Sequence, residues 1–324
     1  MIKASIVGGT GYTAGELLRL LVHHPQVQIE SVVSTTSVGV SIASMHRDLI
    51  GEIDMVFSDS IGNPDVLFLC LGHGISKKFM DNNDIPDSCK VIDLGNDFRL
   101  DPTYKNRTFE YGLCELNKES IQKANNVANP GCFATSILLA LLPLAKMKQL
   151  TNEVHIHAIT GSTGAGKRPS ETTHFSYRDA NVSVYKAFDH QHLGEIKKSL
   201  SLGEGQDVPE IQFIPMRGDF SRGIFASIYT KWDGDQSEQE TIGYFKSYYK
   251  DSPFVFVSDE DISLKEVVNT NKTLLHISFH NGYIYITSII DNLLKGASGQ
   301  AVQNMNLMFG FDESEGLLLK GSAF

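Results

Sequence analysis

Positive charge is in short supply: 28 Lys and Arg stand against 38 Asp and Glu, a formal net charge of −10. A nucleic-acid binder needs a basic face, so that class is excluded, although a local cluster of Lys and Arg could still hold a small anion. Cysteine is scarce too. The four present, Cys70, Cys89, Cys114 and Cys132, form no CxxC pair and match no zinc spacing. Long apolar runs are missing: the longest, 137–145, is broken by Pro143 and falls far short of the ~20 residues that span a bilayer. No leader is visible, because Met1-Ile2-Lys3-Ala4-Ser5 passes straight into a strand pattern. The expectation is a soluble, cytoplasmic chain with reduced thiols and no membrane partner. Each thiol is then a small buried hydrophobe or a nucleophile. There is no internal repeat and no low-complexity tract.

What is present is an ordinary globular composition, 41% hydrophobic over 324 residues, enough for two domains. The first third alternates strand and helix. Ile2–Val7 is a short apolar strand, 14–23 has helical spacing with Leu17, Leu18, Leu20 and Leu21 on one face, and 27–34 is the next strand. The run 65–70 is apolar throughout, as a strand buried on both faces should be, and 90–94 is another strand. This order predicts a doubly wound α/β domain of Rossmann type. From 153 the strands lengthen and partly alternate: Val154–Thr160, 211–215, 223–231, 273–278 and Tyr283–Ile290. They predict an α+β domain with a mainly antiparallel sheet. The segment 292–309 reads as one helix, with Ala301, Val302, Met305 and Met308 on one face. The boundary between the domains falls near Gly131. The chain thus divides into 1–131, dinucleotide-binding; 132–291, catalytic and oligomerisation; and 292–324, a C-terminal helix returning to the first domain.

The stretch from Ile6 through Gly8-Gly9-Thr10-Gly11-Tyr12-Thr13-Ala14-Gly15 is a strand, a glycine turn and a helix start. Gly8 and Gly11 permit a tight turn and close approach to phosphate, and the helix opening offers N–H groups and a positive dipole end. Gly15 permits close packing of helix on strand. Gly8, Thr10, Gly11, Tyr12 and Thr13 are therefore cofactor candidates. The second strand ends in Ser34-Thr35-Thr36-Ser37, where NAD sites usually carry an acid for the ribose hydroxyl. Hydroxyls accept a 2′-phosphate that a carboxylate would repel, so Ser34, Thr35 and Ser37 favour NADP, with Arg47 the nearest downstream cation.

Pro130-Gly131 precedes the helical run 133–145, placing Cys132 at a helix N-terminus. That position stabilises a thiolate, the reactive form. Asn129 could bond to neighbouring backbone and hold the turn. Cys70 ends an apolar strand, and Cys89 and Cys114 have no activating neighbours. A base is offered by Asp189-His190-Gln191-His192-Leu193-Gly194-Glu195. On a helix, His192 and Glu195 share a face, so Glu195 could orient the imidazole. His190-x-His192 could form half a metal site, but no third ligand has matching spacing, and no metal is expected.

Asn129-Pro130-Gly131-Cys132-Phe133-Ala134-Thr135 resembles the active-site segment of the N-acetyl-γ-glutamyl-phosphate reductases, relatives of aspartate-semialdehyde dehydrogenase. The glycine loop resembles the NADP loop of that family. Further segments match in order along the whole chain: Leu71-Gly72-His73-Gly74, Asp93-Leu94-Gly95-Asn96-Asp97-Phe98-Arg99-Leu100, Tyr111-Gly112-Leu113-Cys114-Glu115, the loop 161–167, His190-Gln191-His192-Leu193-Gly194-Glu195-Ile196, and Asp291-Asn292-Leu293-Leu294-Lys295-Gly296-Ala297. Gly72 and Cys114 stand where the family usually has Pro, and Thr163 where it has Ser. Gln191 replaces the usual Arg, and Met216-Arg217-Gly218-Asp219 departs from the usual apolar spacing before Arg222-Gly223. These last two leave the substrate's acyl cap open, acetyl or succinyl, without touching the reaction centre.

The resemblance implies NADPH-dependent reduction of N-acetyl-γ-glutamyl phosphate to the semialdehyde and phosphate, in arginine biosynthesis, by a homodimer or homotetramer. It implies Cys132 as nucleophile, His190 as acid/base, and His192 and Glu195 in orienting or substrate-binding roles. Arg99, Lys167 and Arg168 are candidates for the phosphate or carboxylate, and Asn292 should lie near the nicotinamide. The alternatives are a related acyl phosphate (N-succinyl-glutamyl, aminoadipyl or aspartyl), a non-catalytic NADP-binding protein, and a glyceraldehyde-phosphate-type dehydrogenase. Retention of both Cys132 and His190 speaks against the second. The context of Cys132 speaks against the third.

Overall fold

A computed structural model describes residues 1–202 and 207–321. The described residues divide into two compact units: Met1–Pro130 with Ala297–Leu318, and Gly131–Gly296 with 319–321.

In the first unit, β1 (Ile2–Val7) leads into α1 (Tyr12–Leu21), β2 (Val27–Val33), a short turn of helix α2 (Ile42–Met45), β3 (Val66–Leu69), α3 (Ser76–Asn82) and β4 (Lys90–Asp93). A small hairpin, β5 (Thr103–Tyr104) and β6 (Arg107–Thr108), precedes β7 (Glu110–Tyr111), α4 (Cys114–Lys123) and β8 (Asn126–Ala128). Among the described residues the strands form a six-stranded sheet, β2-β1-β3-β4-β8-β7, with every pairing parallel. All four β3 residues are buried, as a strand covered on both faces requires. This is the doubly wound order predicted above.

The second unit opens with α5 (Cys132–Lys146). Residues 133–145 are all buried, the pattern of a helix enclosed on every side. Pro143 does not interrupt it. Around α5 lie β9 (Val154–Thr160), α6 (Phe175–Arg178), β10 (Ser183–Val184), α7 (His192–Leu200), β11 (Ile211–Arg217), β12 (Ile224–Lys231), α8 (Glu238–Tyr248), β13 (Val255–Ser258), β14 (Thr273–His280) and β15 (Tyr283–Ile290). The described strands form a seven-stranded sheet, β10-β11-β9-β12-β15-β14-β13. Antiparallel pairings dominate, but β11 runs parallel to β9 and β13 to β14, so the sheet is mixed. Helix α5 packs on β12 and β15 and is flanked by α7 and α8. No described helix is long and apolar enough to cross a membrane.

Two expectations need correction. The segment 292–309 is not one helix: Leu294–Ser298 is a wide π-type turn, closed by Gly296 N–H donating to Asp291 O at 2.9 Å, and α9 (Gly299–Phe309) begins only after it. Gly15 does not make room for a strand. A Cβ there would stand 2.7 Å from Nδ1 of His46, whose Nε2 lies 2.7 Å from Gly9 O. The small residue admits a histidine that braces the glycine turn.

Candidate active site

The glycine loop is built from strain and from openness. Gly8 has φ +83°, and a Cβ on it would collide with the Cys70 carbonyl oxygen. Gly8 and Gly9 both donate to Val33 O, at 3.1 and 2.9 Å, pinning the turn to the end of β2. Gly11 is different. The atom nearest to a Cβ there is Gly8 O at 3.6 Å, so the protein's own packing does not demand glycine. Gly11 is the N-cap of α1 and provides no side-chain cap, which leaves the opening N–H groups of the helix available to a phosphate. Thr10, Gly11 and Thr13 are half-buried and Tyr12 exposed. At the β2 end Ser34 is buried, with Oγ 3.4 Å from Thr36 Oγ1, while Thr35 is exposed and Ser37 half-buried. Arg47 is exposed on the turn after α2. These residues fit a dinucleotide phosphate at Gly11 and hydroxyl contacts at the ribose end.

Arg99 also belongs to this unit. It is buried, its Nε donates to Asn129 O at 2.8 Å, and one Nη donates to Leu94 O at 3.2 Å. Those donors hold two loops together. Asn129 is tied to distant chain rather than to its neighbours: Nδ2 donates to Ala297 O at 3.1 Å, and Oδ1 accepts from Asn304 Nδ2 at 3.0 Å. Cys70 and Cys89 are the reverse of activated, since loss of solvent pushes their thiols up to about 12 and about 11.

In the second unit Cys132 is the first residue of α5, half-buried, with Gly131 as N-cap. Helix α7 starts at His192 and brings its acid to the same turn. Glu195, nearly fully buried, accepts the Gly131 N–H on Oε2 at 3.1 Å, and its Oε1 lies 3.8 Å from His192 Nε2. A Cβ on Gly131 would strike the His192 ring, so the imidazole rests on the backbone just before the cysteine. His190 is buried beside it, the two rings 4.5 Å apart, and meets Phe133 edge-on at 5.4 Å. His190 Nδ1 accepts the His192 N–H at 3.2 Å. The structure thus brings the Gly131–Cys132 turn, His190, His192 and Glu195 together.

Gly296 and Tyr185 were not picked out from sequence as site residues. Gly296, in the wide turn, faces the nucleophile: a Cβ on it would lie 2.8 Å from Cys132 Cβ. That turn hangs from Asp291, fully buried, which takes Arg222 Nε at 3.0 Å and Nη2 at 3.2 Å and the N–H groups of Asn269, Leu293 and Leu294. Asn292 is locked in the same knot, its Oδ1 accepting Gly223 N–H at 2.7 Å and its Nδ2 donating to Thr163 Oγ1 at 3.1 Å. Tyr185 meets His190 edge-on at 5.9 Å. Lys167 and Arg168 lie on an exposed loop after the turn 162–165. Gln191 is exposed, and its Oε1 accepts from Lys186 Nζ at 2.9 Å.

A parallel dinucleotide fold joined to a unit built on a helix-capped cysteine defines a class, and the chain belongs to it: it is a member of the semialdehyde dehydrogenase family, matching the family's NAD binding domain over residues 3–124 and its dimerisation domain over 132–292. The chain is 52% identical to N-acetyl-gamma-glutamyl-phosphate reductase of Christiangramia forsetii and 54% identical to that of Flavobacterium johnsoniae, with both chains covered completely in each case. Similar solved structures include aspartate semialdehyde dehydrogenase II from Vibrio cholerae (TM-score 0.68, 16% identity, 96% of this chain and 99% of that one). Another is aspartate semialdehyde dehydrogenase with NADP from Candida albicans (TM-score 0.71, 12% identity, 95% of this chain and 98% of that one). These last two likenesses are of fold.

Proposed function

We propose that this chain reduces N-acetyl-γ-glutamyl phosphate with NADPH to N-acetylglutamate 5-semialdehyde and phosphate, a step of arginine biosynthesis. The observation that carries the chemistry is the Glu195 carboxylate, which holds the Gly131–Cys132 turn and His192 together. Full-length relatives at 52% and 54% identity that bear the reductase name support the substrate.

The helix start favours the Cys132 thiolate. It attacks the acyl carbon, the C–O bond to phosphate breaks, and phosphate departs with the electron pair, leaving a thioester on sulfur. The Gly8–Gly15 loop would hold NADPH, with Ser34, Thr35 and Ser37 at its 2′-phosphate, and the bound cofactor would supply the hydride needed to bring the acyl carbon to the aldehyde level. His190 takes up the proton that the Cys132 thiol releases on becoming the thiolate and supplies one as the C–S bond breaks. His192 and Glu195 orient the turn, and Arg99, Lys167 and Arg168 are the remaining candidates for substrate oxygens. Asn292 keeps its implied role beside the nicotinamide.

We assign 1–131 to the dinucleotide, 132–291 to catalysis and association, and 292–324 to the returning helix, in a cytoplasmic homodimer or homotetramer. The face for association is the side of the second sheet that carries Tyr229, Tyr283 and Phe256, exposed at 36%, 45% and 44%.

The test is phosphate-dependent oxidation of N-acetyl- and N-succinyl-glutamate semialdehyde, side by side, with NADP and with NAD. The N-acetyl compound with NADP should turn over fastest, and Cys132→Ser should abolish turnover while NADPH still binds. A faster N-succinyl reaction moves the acyl cap to the alternative. No reaction with either aldehyde sinks the proposal.

A further inference from the structure

Beside Tyr185, whose side chain hydrogen-bonds it, the second unit carries a cation with one nitrogen left unanswered. Arg217 is the last residue of β11, and its guanidinium carbon lies 4.7 Å from the centroid of the Tyr185 ring. Its Nε is buried without a hydrogen-bond partner, and among the described residues it forms no ion pair. Its neighbours in the unit are committed otherwise. Arg222 is forked onto Asp291. Arg178 is spent on the carbonyls of Thr172, Asn181 and Arg217 and on Ser183 Oγ. Lys186 holds Gln191.

Tyr185 links this cation to the reaction centre. Its ring meets His190 edge-on, and His190 meets Phe133, the residue after the nucleophile, in the same way. The phenol is held well above its usual range by burial first and by the negative charge of Cys132 second, with Arg217 opposing. Tyr185 therefore stays neutral and serves as a flat platform. A buried guanidinium N–H with no acceptor costs free energy unless something else supplies the acceptor. Stacking on an aromatic ring fixes the plane of the guanidinium, which is the preorganisation that two-oxygen anions exploit.

We propose that Arg217 holds an anionic oxygen group of the substrate, phosphate or carboxylate, beside Cys132, with Tyr185 as its platform. The assignment rests on the acyl-phosphate reading above and adds the residue that recognises the substrate's charge. Both sources present the same pair of oxygens, and kinetics separate them.

The experiment uses full-length Arg217→Gln and Arg217→Lys in the aldehyde-oxidising direction, varying inorganic phosphate and semialdehyde independently. Arg217→Gln should raise one of the two KM values by roughly ten- to a hundredfold, the range of a lost charge-assisted hydrogen bond, with kcat far less affected. A rise for phosphate identifies the leaving-group site, and a rise for the aldehyde identifies a carboxylate site. Arg217→Lys should restore part of the loss. A second readout needs no turnover: inorganic phosphate or glutarate should slow alkylation of Cys132 by iodoacetamide in the wild-type protein and fail to do so in Arg217→Gln. Unchanged KM values in a folded variant overturn the assignment, and so does protection that survives the substitution or is absent from the wild type. Should Arg217→Gln not fold, Tyr185→Leu must raise the same KM, and a normal value there is equally fatal. A wild-type protein that shows protection but no phosphate-dependent oxidation would sink the functional proposal and leave Arg217 standing.

Discussion

Gly296 lies so close to Cys132 that a single methyl group would reach its side chain. The wide turn that carries it is fixed from behind by the Asp291–Arg222 fork, so it cannot simply yield. Gly296→Ala should therefore push the sulfur off its helix-start position. We expect kcat to fall at least tenfold and the alkylation rate of Cys132 to change, with overpacking lowering stability by about 1–3 kcal/mol. Unaltered kcat and alkylation in that variant would show that the contact is slack. The sequence hid this residue and showed its partner. Cys132 follows Pro130-Gly131, and His192 and Glu195 share a helical face, so local spacing was enough for them. Gly296 reaches Cys132, and Arg217 reaches Tyr185, across long stretches of chain, and no local pattern records that.

At the scale of elements, the glycine loop separates two reasons for being glycine. Gly8 is required by its own backbone and by the Cys70 carbonyl, whereas Gly11 has room for a Cβ. Gly8→Ala should cost about 1–3 kcal/mol of stability, as forced left-handed backbone does, and weaken NADPH binding with it. Gly11→Ala should leave stability within about 0.5 kcal/mol and still weaken NADPH binding, because the added methyl lies where phosphate approaches the helix. Denaturation curves and fluorescence titration of NADPH on the pair decide the matter; equal stability losses would refute the distinction. Most strands were readable in advance, Val154–Thr160 and Tyr283–Ile290 to the residue, because period-two alternation and continuous apolar runs are strong signals. Helix α8 was missed. Its apolar face is weak, yet Ser237 and Glu240 form a capping box in the structure, a local signal that was there to be read. The wide turn 294–298 was taken for helix because its residues are helix-compatible, and only the register of its hydrogen bonds sets it apart.

For the whole molecule, one face of the second sheet carries aromatic side chains that meet across its strands. His155 stacks on Tyr229 at 4.9 Å, and Tyr229 meets Tyr283 edge-on at 6.2 Å. An exposed aromatic ladder of this kind is the sort of surface that protein interfaces use, and it is the association face proposed above. Tyr229→Arg with Tyr283→Arg places like charges face to face across a two-fold axis. The double variant should sediment as a smaller species than the wild type at equal concentration, with NADPH affinity retained. An unchanged sedimentation coefficient would move the association face elsewhere. Sequence patterning announced a half-covered sheet here through its alternating strands, but not which outward residues stack, since that depends on the register of β9, β12 and β15.

The first unit is not a continuous stretch of chain. It is completed by Ala297–Leu318, whose helix α9 packs on α4, α1 and β4, and Asn304 there bridges Gly112 O and Asn129 Oδ1. Synthesis runs from the N-terminus, and domains generally fold as they emerge. The parallel sheet is made first, yet its last buried helix leaves the ribosome only after Gly131–Gly296 has been translated. The dinucleotide fold must therefore wait, half-assembled, for a piece that arrives last, whereas Gly131–Gly296 can close its own core in the meantime. In the order of birth, most of the second unit's core is closed before the unit that precedes it is complete.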